Sequence, residues 1–130
     1  VVLTQLVNIN VGLDLYIEKV SRKELAYFRK VNFLIPFFEG FFNTEIENLE
    51  DLELTKESVE ELRDRCERVL NDRTLAKDLL PTQGGFFFGS INYDKYYYDD
   101  VVDVLDNCNA LLQEFDNLKE DEFIIFRIWY

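Results

Sequence analysis

EFIIFRIWY, residues 122–130, is the stretch on which the fold class turns. It is β-branched and aromatic throughout, and period two sets Phe123, Ile125, Arg127 and Trp129 on one face and Ile124, Phe126, Ile128 and Tyr130 on the other. Apolar on both faces, it predicts a terminal strand well inside a sheet. A second strand is expected at VGLDLYIEKV, Val11 to Val20, where Leu13, Leu15 and Ile17 alternate with Asp14, Tyr16 and Glu18.

Between these ends the pattern is mostly helical. Ser21 stands as an N-cap before RKELAYFRKVNFLI, with Glu24 completing a capping box, and Pro36 is expected to end or kink that helix. FFEGFF, around Gly40, reads either as a short helix closing the core or as a groove for a ligand. Leu52 and Leu54 alternate with acids, as in a short edge strand. Thr55 caps KESVEELRDRCERVLN, an amphipathic helix with Glu57, Glu60, Glu61, Asp64 and Glu67 outward and Arg63, Arg65 and Arg68 at pairing distance. RTLAKDLLPT is a short helix stopped by Pro81, FFFGSI reads as a strand, and a long helix should run from Tyr93 or Asp94 to about Asn117. The order predicts a single α+β domain over residues 11–130. It would have a small, mostly antiparallel sheet of three or four strands with helices packed on one face.

At 130 residues, 48% of them apolar and 15% aromatic, the chain suits one packed core. It shows no run long and apolar enough for a membrane span and no secretory signal, so a cytosolic setting is expected. Cys66 and Cys108 fall on apolar helical stripes and read as reduced core thiols. With no histidine, the commonest general base and metal ligand is missing. The net charge of −12 is uneven: +1 over residues 1–42, −6 over 43–80 and −7 over 81–130. Direct binding to nucleic-acid phosphate is disfavoured, and a basic partner protein would be attracted.

Four blocks, GLDLY (Gly12–Tyr16), ELAYFRK (Glu24–Lys30), LLPTQGGFFFGS (Leu79–Ser90) and YDKYYYDDV (Tyr93–Val101), resemble a family of small uncharacterised bacteriophage and prophage proteins. Members typically begin Met-Gly-Leu-Asp-Met-Tyr and carry a Gly-Phe-Phe-Phe-Gly segment before a Tyr-Asp-rich helix start. The family start falls at Val11, so residues 1–10 read as an upstream extension. A histidine that often follows the Tyr-Trp-Arg-Lys-like block is replaced here by Ile35 or its neighbours. The resemblance implies a mobile-element accessory protein acting in a host cytosol, a class in which anti-defence inhibitors are common, and it implies no reaction.

Three functional classes remain. A carboxylate enzyme could use Asp14, Glu18, Asp94, Asp99 and Asp100 to hold Mg²⁺ for phosphoryl or hydrolytic chemistry, although Asp94 is better explained as a helix cap. GGFFFG matches neither the dinucleotide fingerprint nor a P-loop. A protein binder without catalysis or cofactor would instead use helix-face acids, spaced like nucleic-acid phosphates, to block a basic nucleic-acid-binding protein such as a CRISPR-type effector. Its residues would be Glu57, Glu60, Glu61 and Asp64 on one helix, with Tyr93, Tyr96, Asp99, Asp100 and Asp103 at the start of the other. The third class is a self-assembling protein that forms a homodimer through its aromatic surface.

Overall fold

A computed structural model describes residues 12–130; the expected extension at residues 1–10, and Val11, lie outside the described residues. The architecture is mostly helical, with α1 (Leu34–Phe42), α2 (Lys56–Asn71), a 3₁₀ turn (Arg73–Leu75) running into α3 (Ala76–Leu79), and α4 (Lys95–Asp116). Among the described residues the only sheet is a two-stranded antiparallel ladder of β1 (Leu52–Glu53) and β2 (Ile125–Phe126), in register Leu52 to Phe126 and Glu53 to Ile125.

α2 and α4 form the framework, and both follow directly from local sequence. On α2, Val59, Leu62, Cys66 and Val69 make a buried stripe; on α4, Tyr97, Val101, Val104, Cys108 and Leu112 make the matching one. Each fully buried aliphatic side chain contributes about 1.5–3 kcal/mol by leaving water. The Thr55 hydroxyl accepts from the Ser58 amide while the Ser58 hydroxyl takes up the Thr55 amide, a reciprocal cap at the start of α2. Asp94 caps α4 by accepting from the Tyr96 and Tyr97 amides. The pair packs antiparallel, since Lys56 at the start of α2 bonds Asp116 at the end of α4 at 2.8 Å. Phe33, Phe37 and Phe38 join the core of this helix pair from the α1 side, and Ile46, Leu54 and Ile124 join it from the ladder side. Cys66 and Cys108 are buried free thiols, and burial raises the pKa of both.

The expected α+β sheet of three or four strands is therefore corrected to this helical fold. Gly12–Val20 joins no ladder among the described residues, and Leu13, Leu15 and Ile17 are each more than four-fifths exposed. Alternation makes such a segment eligible for a strand, but a ladder also needs a partner strand, and Gly12–Val20 meets none among the described residues. The helix expected after Ser21 is also absent. Lys30 takes the left-handed region at φ 59°, which ends any helix passing through it, and α1 starts only at Leu34. Pro36 thus lies in the first turn of α1, where its missing amide hydrogen has no intrahelical role, instead of ending a helix. FFEGFF does close the core as a helix, with Phe37 and Phe38 buried. FFFGSI forms a turn, Phe88 N–H donating to Gly85 O at 3.1 Å, and not a strand.

EFIIFRIWY is corrected too. Its ladder against β1 is extended by Leu54 N–H donating to Ile124 O and Leu49 N–H to Ile128 O. Only the Ile124, Phe126, Ile128 face meets the core, while Phe123 and Trp129 stand exposed. A sheet of two strands leaves nothing to cover the second face.

Candidate functional site

Two surface features gather the side chains left over from core packing. The first is a cleft of about 160 Å³ between the segment before α1, the loop 82–92 and the first turns of α4. Arg29 and Lys30 line one wall, Ser90 and Asn92 another, and Asp94, Tyr96 and Asp100 a third. Asn32, buried beneath them, builds this geometry: its Nδ2 donates to the carbonyls of Phe88 and Ser90, both at 2.9 Å, and its Oδ1 accepts from the Gln83 amide at 3.0 Å. Gly89, at φ 81°, lets the loop close on the Lys30 stem; a Cβ there would meet Lys30 carbons at 3.1 Å.

Asp100 is half-buried, and its pKa is raised above the ordinary carboxylate value, first by desolvation and then by the charges of Asp103, Asp99 and Asp94. Neither a hydrogen bond nor an ion pair satisfies it among the described residues.

The second feature is aromatic. The turn at Gly85 pushes Phe86 into solvent, 94% exposed, with its ring 4.8 Å from that of Phe87. Phe87 stacks on Tyr130 at 6.0 Å, and Phe88 meets Tyr130 edge-on at 5.2 Å. Trp129, next in the chain, is 83% exposed. Asn48 clamps Tyr130, donating to its carbonyl at 3.0 Å and accepting from its amide at 2.8 Å. That clamp brings the segment 43–54 beside the rings, and this segment carries Glu45, Glu47, Glu50, Asp51 and Glu53 with no basic residue.

The residues anticipated from sequence divide between distant places. Glu57, Glu60 and Glu61 lie beside the end of α4, whereas Tyr96, Asp99 and Asp100 lie at its start; the span from Asp100 to Asp116 is roughly 24 Å of helix. Several of these acids are already engaged. Glu61 pairs with Arg65 at 2.8 Å, Asp64 with Arg68 at 3.7 Å and Asp99 with Lys95 at 2.7 Å, and Asp103 accepts from Asn107. Tyr93 is half-buried and structural: its hydroxyl accepts from the Thr82 amide, and its ring packs on Tyr97. Tyr96, 75% exposed, and Asp100 reach the cleft, together with the capping carboxylate Asp94.

Sequence reasoning missed Arg29, Lys30, Asn32, Ser90 and Asn92. Asn32 alone carried a signal, as a polar residue inside the apolar run VNFLI. Among the described residues no group of three or more acidic, histidine or cysteine side chains is placed to hold a metal ion, and no helix is long and apolar enough to cross a membrane. No protein-family model, curated protein or solved structure matches the chain. The functional reading rests on the residues themselves.

Proposed function

We propose that the chain is a non-catalytic binding module that grips a basic, partly apolar segment of another protein. The carrying observation is the exposed ring cluster Phe86, Phe87 and Tyr130 set beside a wholly acidic segment. Exposed apolar patches with polar rims mark interaction surfaces. Aromatic side chains supply binding energy at interfaces, and flanking charge selects and orients the partner. A surface that holds nucleic acid on another protein has this basic character. A small bacteriophage accessory protein occupying such a surface would inhibit its owner, including a host-defence effector.

The ring cluster supports this reading better than the helix acids do, because it adds exposed aromatic surface to the charge. Both acidic surfaces are partly cancelled, the helix acids by the Glu61, Asp64 and Asp99 pairs and the segment beside the rings by Arg22 on Asp51.

Trp129 is the single tryptophan, so its fluorescence reports on this region. Titration with synthetic peptides should shift its emission for basic aromatic sequences and not for acidic ones of equal hydropathy. Added salt should weaken the effect, and Phe86→Ser combined with Phe87→Ser should abolish it. Equal response to acidic and basic peptides would overturn the proposal. So would a particle mass that rises with protein concentration and is reset by the same double substitution, which would make a second copy the occupant.

A further inference from the structure

The cleft beside α4 carries a different inference from the ring cluster. Some exposed charges close on one another, Arg22 with Asp51 at 2.7 Å, Lys56 with Asp116 at 2.8 Å and Lys95 with Asp99 at 2.7 Å, whereas the cations and carboxylates that line the cleft do not pair with each other. Arg29 and Lys30 make no ion pair with any described carboxylate, and Asp100, which lines the same cleft, has no hydrogen-bond or ion-pair partner among the described residues. The cleft thus brings two exposed cations and a half-buried carboxylate into one concavity with no ion pair between them.

The backbone around the cleft is held by contacts between its segments. Lys30 and Gly89 both take positive φ and face each other, and Asn32 pins the loop from below. The Ser90 hydroxyl oxygen already accepts from the Asn92 amide at 3.0 Å, which leaves its O–H free to donate into the cleft.

An anion alone would meet the field of Asp94 and Asp100, and a cation alone that of Arg29 and Lys30. A dipolar molecule satisfies both walls at once. The cleft volume of about 160 Å³ is far below the roughly 300–1,000 Å³ of drug-sized sites, which limits the ligand to a small metabolite.

We propose that this cleft binds a free α-amino acid as its zwitterion, with Lys30, Arg29 and Ser90 holding the carboxylate and Asp100 the ammonium group. Tyr96, whose ring already meets Lys95 Nζ at 5.9 Å, adds an aromatic edge to the cleft near Asp100 in sequence. Burial and neighbouring acids raise the pKa of Asp100, which makes an incoming cation welcome.

The test is an amide-resolved NMR titration of the ¹⁵N-labelled chain with individual free amino acids at millimolar concentration. Acetate and methylammonium serve as single-charge controls. At least one amino acid should give saturable shifts confined to Gly89, Ser90, Asn92 and the first turns of α4, and neither control should reproduce them. Lys30→Met, which keeps the stem against Gly89, and Asp100→Asn should each weaken binding about tenfold, the loss expected for one charge-assisted contact. Phe86→Ser with Phe87→Ser should leave this binding unchanged, so the cleft and the ring cluster stand or fall separately. The inference is overturned by absence of saturable shifts with every amino acid, by equal binding of acetate alone, or by unaltered affinity in both charge variants while circular dichroism shows them folded.

Discussion

Asn32 is the residue on which most of the surface architecture hangs. The loop 82–92 makes few backbone hydrogen bonds of its own, and the Asn32 amide supplies three across more than fifty residues of sequence. Asn32 is 5% exposed and its bonds are part-buried, so truncation leaves two carbonyls and an amide without their protein partner. Asn32→Ala should lower stability by about 2–3 kcal/mol in urea denaturation. It should also accelerate amide exchange at Gln83 before any change in the α2 and α4 amides. Asn32→Asp, which keeps the acceptor and loses the donors, should retain the protection at Gln83 better than Ala does. Unchanged exchange at Gln83 in the Ala variant would show that the loop holds itself. Little of this role was legible in sequence. Asn32 looks like a polar interruption of an apolar helix until the loop that it anchors comes alongside.

At the scale of elements, the legible parts are those whose energetics are local. α2 and α4 announce themselves because an apolar stripe recurs every three or four residues and Thr55 and Asp94 stand where orphan amides need acceptors. Strands are harder, since period two states only which side chains share a face. The ladder partner is non-local, so Gly12–Val20 and EFIIFRIWY carry strand character that the helical core leaves mostly unused. The candidate site was legible in the same measure. Tyr96 and Asp100 follow from the predictable phase of α4, whereas Arg29 and Lys30 sit on a segment expected to be helical, and the exposed Phe86 sits on one expected to be a strand. Pro36 separates the two readings of the region before α1 by experiment. If it terminated a helix over residues 22–35, Pro36→Ala would join that helix to FFEGFF and raise helicity. With Pro36 in the first turn of α1, the substitution should leave far-ultraviolet circular dichroism unchanged and cost less than about 1 kcal/mol, through a more flexible unfolded chain. A measurable gain in helicity would contradict the start of α1 at Leu34.

For the whole molecule, electrostatics act mostly against folding. A net charge of −12 confined to a small helical body repels itself, and the unfolded chain relieves that repulsion by expanding. The ion pairs that oppose it are at least one-third exposed on both sides, as Arg22 with Asp51 and Lys95 with Asp99 show, and exposed pairs contribute little. Salt screens both effects, but long-range repulsion among unpaired acids loses more than short contacts do. Raising sodium chloride from low to physiological ionic strength should therefore stabilise the fold, by about 1 kcal/mol and a few degrees in melting temperature. The same change should weaken peptide binding at the acidic segment beside Phe86 and Tyr130, where attraction to a basic partner is what salt screens. Melting temperature and peptide affinity are thus expected to move in opposite directions along one salt series. A melting temperature that falls with salt would mean that the surface pairs outweigh the repulsion. An affinity that holds constant while the melting temperature rises would mean that the rings bind without help from the acids beside them.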